Sequence, residues 1–110
     1  MGLDEHTLWH LVMSFFTGAL LCNSVPHVIA GVRGRHFPTP FARPRGAGKS
    51  SPSINLLWGF GNAMLGVWLC YRQVHSGIGD ARVAIVAAVG FVLFGLWLAQ
   101  HFSKREKMPT

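Results

Sequence analysis

Three long apolar stretches in one short chain constrain this sequence more than any other feature. They run from about Leu8 to about Val32, from about Ile54 to about Tyr71 and from about Ala81 to about Phe102. The only Asp, Glu, Lys or Arg inside them is Arg82, at the edge of the third. About 20 consecutive apolar residues suffice for a helix to cross a bilayer, so each stretch is long enough to span. Charged residues make up 13% of the 110, against about 25% in soluble domains. The pattern excludes a disordered chain and an ordinary soluble enzyme. It predicts an all-α membrane protein, one domain over residues 1–110, with transmembrane helices at about 8–32, 54–71 and 81–102.

A signal peptide is the competing reading of the first stretch, and it fails. Ahead of it stand Asp4 and Glu5 but no Lys or Arg, and no small-residue cleavage site followed by a soluble domain comes after it. The net charge is +6, from 10 Lys and Arg against 4 Asp and Glu. In a soluble protein that excess would point to nucleic acid. Here the cations sit between apolar stretches, where lipid headgroups would meet them, so nucleic acid is not an expected partner. The loop at 33–53 carries Arg33, Arg35, Arg43, Arg45 and Lys49 with no acid, and the tail carries Lys104, Arg105 and Lys107 against Glu106. Positive charge marks the cytoplasmic side. The expected orientation therefore has the N-terminus outside, with the C-terminus and the long basic loop in the cytoplasm. Trp9, Trp58, Trp68 and Trp97 fall near the span ends, as interfacial anchors do.

The loop has Pro38, Pro40, Pro44 and Pro52, which exclude a regular helix. Phe37 and Phe41 flank Pro38-Thr39-Pro40 among the basic residues, a composition suited to contact with anionic headgroups, each cation contributing about 1 kcal/mol there. Gly46-Ala47-Gly48-Lys49-Ser50 imitates the end of a phosphate-binding loop. The pattern needs a glycine where Arg43 stands, and a preceding strand that is missing. Ser50, Ser51 or Ser53 is the expected N-cap of the second span, with Pro52 in its first turn.

Polar side chains inside the spans are the candidate chemistry. Pro26 cannot donate to the carbonyl of Cys22, so a kink or opening is expected there, with Asn23 and His27 on one face. Gly59, Asn62 and Gly66 fall within about 40° of Asn55 around a helix, a stripe suited to close packing with amides bonding across. In the third span Ala84, Ala88, Phe91 and Gly95 form the corresponding stripe. Asn23 and Asn62 lie at similar depths, as do His27 and Trp58, so in an antiparallel hairpin Asn23 can meet Asn62, and His27 can meet Trp58 or Asn55. These five residues make the candidate ligand-binding site. His6 and His10 share a helix face near Asp4 and Glu5, and His27 and His101 lie at matching depths for a haem. Neither pair has a supporting motif, so no metal or cofactor is expected. Cys22 and Cys70 read as small buried hydrophobes.

The segments Asn23-Ser24-Val25-Pro26-His27, Phe37-Pro38-Thr39-Pro40-Phe41 and Ser50-Ser51-Pro52, followed by Asn55 and Trp58-Gly59, resemble those of small hypothetical integral membrane proteins of bacteria. The resemblance covers the first two spans and the loop and implies a setting in the bacterial inner membrane. Neither a nucleophile–base pair nor paired carboxylates can be found, so catalysis is not expected. The first functional expectation is an interaction or accessory subunit, oligomeric or part of a membrane complex, using its small-residue stripes. The alternative is a small transporter or a lipid- or small-molecule-binding protein with an Asn/His site.

Overall fold

A computed structural model describes residues 3–106; Lys107, counted above among the tail cations, lies outside the described residues. The chain forms three helices: α1 (Glu5–Val32), α2 (Pro52–Val74) and α3 (Asp80–Glu106). All three are long and apolar enough to cross a membrane. Each runs a few residues beyond the apolar stretch that announced it, because the end turns are built from capping and charged residues. Asp4 accepts from the Thr7 amide at 2.7 Å to start α1, and Ser51 accepts from the Ile54 amide at 3.2 Å to start α2, with Pro52 in its first turn. Past Val32, Gly34 takes φ +69°, and the amides of Gly34 and Arg35 reach back to the carbonyls of Gly31 and Ala30, a closure that favours glycine.

The helix continues through Pro26. The Ser24 hydroxyl donates to the Leu21 carbonyl at 2.7 Å, and the Asn23 amide is engaged elsewhere. The expected opening is therefore absent.

Helix α1 is central. Both α2, antiparallel to it, and α3, parallel to it, pack along its length, while α2 and α3 scarcely touch. The bundle is 53 Å long, more than the about 40–45 Å of a bilayer with its headgroups. On α2 the buried face is Asn55, Gly59, Asn62, Gly66 and Gln73, the expected stripe extended by one position. A Cβ on Gly59 would lie 2.7 Å from Cγ2 of Val28. On α3 the expected stripe holds only at Gly95, which lies against Cys22 of α1. Ala84, Ala88 and Phe91 are exposed, and the helix buries Val83, Gly90 and Leu98, with Ala87 and Phe94 partly covered. At the α1–α3 crossing, a Cβ on Gly18 would overlap the Ala87 carbonyl and one on Gly90 the Phe15 carbonyl. The backbones meet there because neither glycine holds them apart.

The loop folds back over the end of the bundle. Phe37 and Ser50 form an antiparallel bridge, their backbone hydrogen bonds 2.9 and 3.2 Å long. The Phe37 ring packs on His27 of α1 (5.3 Å) and Phe102 of α3 (4.6 Å), and the Phe41 ring meets Trp58 of α2 edge-on (5.2 Å). Pro38 and Ala42 are buried beneath. The segment between α1 and α2 is thus a roof laid on three helices.

Candidate functional site

The expected partners meet as two rungs across α1 and α2. In the first, Asn55 is fully buried and its Nδ2 lies 3.0, 3.1 and 3.0 Å from the carbonyl oxygens of Phe37, Ser50 and Ser51. Carbonyls only accept, which fixes Nδ2 as the donor end and leaves Oδ1 facing Nδ1 of His27 at 2.8 Å. Nδ1 must then carry the hydrogen, and in the neutral ring Nε2 is left with its lone pair. In the second rung, Nδ2 of Asn62 donates to the Trp58 carbonyl at 2.8 Å, so its Oδ1 accepts from Nδ2 of Asn23 at 3.0 Å.

A third rung at the opposite end escaped the sequence reading. His10 Nδ1 donates to Oε1 of Gln73, whose own amide donates to the Leu69 carbonyl at 2.9 Å. Gln73 is seven residues beyond Gly66 on the same stripe, and that spacing was the available signal. His6 reaches the Ser76 carbonyl at 3.1 Å, and its ring lies 4.5 Å from that of His10. Among the described residues no third potential ligand joins these histidines.

A cleft of about 240 Å³ opens between α2 and α3 under the roof. Asn23 and His27 of α1 line its floor, Trp58 one wall, Phe94 and Leu98 the other, and Pro38-Thr39-Pro40 the top. Arg105 stands at its mouth and donates to the Gly48 carbonyl at 2.9 Å. Of the five candidate residues, Asn23, His27 and Trp58 line the cleft. Asn55 and Asn62 stand behind it with their polar atoms spent on holding the roof and the α1–α2 seam. Trp58 is no interfacial anchor: its indole N–H is buried without a protein acceptor.

The sequence reading missed Phe94, Leu98 and Arg105 as cleft residues. Their signal is a spacing of four, then seven, on one helix face, ending in a cation. The loop cations Arg33, Arg35, Arg43, Arg45 and Lys49 are all exposed, and none lines the cleft. His27 and His101 both line the cleft, but the rings of Phe37 and Phe102 fill the space between them. A flat macrocycle does not fit there.

The chain matches no protein-family model, no curated protein and no solved structure.

Proposed function

We propose that this is a non-catalytic protein of the bacterial inner membrane that binds an amphiphile in the cleft between α2 and α3. One observation carries the reading. Beneath an ordered roof, a cleft open toward the lipid holds the imidazole of His27, whose Nε2 has no protein partner, and at its mouth the guanidinium of Arg105, which spends one donor on the Gly48 carbonyl. An ionisable side chain held within a membrane is a default mark of a site. Five loop cations with Lys104 and Arg105 gather at the roof end beside one acid, Glu106, while the other end holds Arg72 and Arg82 with Asp4, Glu5 and Asp80. That asymmetry supports a cytoplasmic roof; the bacterial setting rests on the resemblance of the loop and first two spans.

A second reading keeps the accessory role, as an oligomer or a subunit of a larger complex. The α2 stripe is spent inside the chain, but Ala84 and Ala88 leave an outward-facing strip of small residues on α3.

Photocrosslinking separates the two. Benzoylphenylalanine replacing Trp97, at the cleft, should capture one discrete small adduct, while the same probe replacing Leu57, on the outer face of α2, should capture a spread of bulk lipids. A spread at both positions removes the ligand reading, and a protein adduct from a probe at Ala88 favours the second.

A further inference from the structure

We infer that the cleft's ligand is a single-chain anionic phospholipid with a free glycerol hydroxyl, a lysophospholipid taken from the surrounding leaflet. Its phosphate would sit against Arg105 and its hydroxyl on Nε2 of His27. The inference rests on reading the cleft as a ligand site and names the chemistry that fills it.

The two polar positions differ in kind and in depth. Gly95 lies beside Cys22, its built Cβ 3.1 Å from the Cys22 sulfur. In this parallel pair Arg105 is therefore about level with Val32, five residues or roughly 7 Å beyond His27 along the axis. Side chains on a helix lean toward its N-terminus, so Arg105 leans back over the cleft. One of its donors is taken by the Gly48 carbonyl. The rest of its five-donor fork suits a phosphate better than any other lipid group.

One step deeper, the orientation of Asn55 makes Nε2 of His27 an acceptor. It asks for a donor, which a backbone hydroxyl supplies and an acylated glycerol position does not. Cation and acceptor thus follow one another inward, matching the phosphate and the hydroxyl of one glycerol.

Size selects a single chain. About 240 Å³ is below the roughly 300–1,000 Å³ of drug-sized pockets, room for a glycerophosphate and the start of one acyl chain. The rest of that chain leaves sideways, past Phe94 and Leu98, along the groove where α2 and α3 scarcely touch.

The test is native mass spectrometry of the full chain in detergent, titrated with oleoyl-lysophosphatidic acid, its 2-deoxy analogue, two-chain phosphatidic acid and glycerol 3-phosphate. Removing the hydroxyl from the ligand keeps the His27–Asn55 bond intact. One lysophosphatidic acid should bind per chain, at least fivefold tighter than the deoxy and two-chain lipids, with glycerol 3-phosphate far weaker. Arg105→Gln should weaken the lysolipid at least tenfold, with an unchanged melting temperature showing that the fold survives. Equal binding of the deoxy analogue, or of phosphatidic acid, overturns the inference, as does equal binding of glycerol 3-phosphate. If a discrete adduct forms at Trp97 while the lysolipid ranks no higher than its analogues, the ligand class alone is wrong. If binding is also indifferent to Pro40→Trp, which crowds the roof, the cleft reading falls with it.

Discussion

The two seams along α1 are built by opposite means. Against α2, the helix is joined by side-chain hydrogen bonds at three levels: His10 to Gln73, Asn23 to Asn62, and His27 to Asn55. Against α3, no side-chain hydrogen bond to α1 occurs among the described residues, and the backbones touch at Gly18 and Gly90. Lipid is as apolar as leucine, so hydrophobic burial cannot hold membrane helices together, and packing and polar contacts must. This chain uses one device per seam. The difference shows what each is for. Close backbone contact gives adhesion and leaves no polar atom to spare. The polar seam gives adhesion, fastens the roof through Asn55, and leaves His27 with one nitrogen uncommitted.

Substitutions can pull the two seams apart. The largest effect should come from Gly18→Leu, since the new side chain meets backbone and cannot be accommodated by a rotamer change. We expect a loss beyond the about 1–3 kcal/mol of ordinary overpacking, read as failure to purify a monodisperse protein. Gly61→Leu, on α2 with nothing within 4 Å of a built Cβ, should be tolerated in the same assay. Similar yields from both would mean that the α1–α3 crossing is not tight. Next is Asn55→Ala, which deprives His27 and three backbone carbonyls of their partner. A loss of about 3 kcal/mol is expected, at the upper end for an unsatisfied buried group. It should come with faster tryptic cleavage after Arg45 and Lys49 as the roof loosens. Unchanged cleavage would show that the roof is held by its aromatic contacts instead.

Asn23→Leu tests one rung alone. Interhelical hydrogen bonds in membranes average about 0.6 kcal/mol, so the melting temperature should fall slightly and remain well above that of Asn55→Ala. Smallest is Asp4. The Thr7 amide holds its carboxyl below the ordinary value of 3.8. The folded form thus favours the carboxylate: the stabilisation is complete above that value and lost as pH falls through the lowered one. Asp4→Asn, which still caps but does not titrate, should remove a small acid-side fall in melting temperature. An identical pH profile for both proteins would assign that fall to other groups.

How far the sequence disclosed this arrangement depended on where it placed polar residues. In α2 the amides and glycines alternate with large apolar side chains, so Asn55, Gly59, Asn62 and Gly66 gave the buried face, and matching depths paired them with α1. In α3 the spanning residues are apolar on every side. With no hydrophobic preference for protein over lipid, neither Val83-Ala87-Gly90-Phe94 nor Ala84-Ala88-Phe91-Gly95 stands out by pattern, and the second, expected from the sequence, meets α1 only at Gly95. The roof was hidden for another reason. Its prolines forbid a helix but do not say where the strand-like bridge falls. That is fixed by Asn55, a residue of the next helix, and by Phe102, far along the chain. Arg105 was legible as a charge and not as a cleft residue, because its role depends on α1 and α3 running parallel with their ends level.

The placement of the Asn55 hydrogen bonds bears on how the chain is made. Every acceptor of its amide, and the imidazole it receives from, lies before residue 56, and both α1–α2 amide and imidazole rungs are complete by Gln73. A ribosome that has synthesised the first two helices has already supplied every partner of the polar seam. The hairpin can therefore enter the bilayer with its amides satisfied while α3 is still being translated. The last helix then arrives at a finished surface, meeting it through glycine contacts and through Phe102 and Arg105 at the roof, and closes the second side of the cleft.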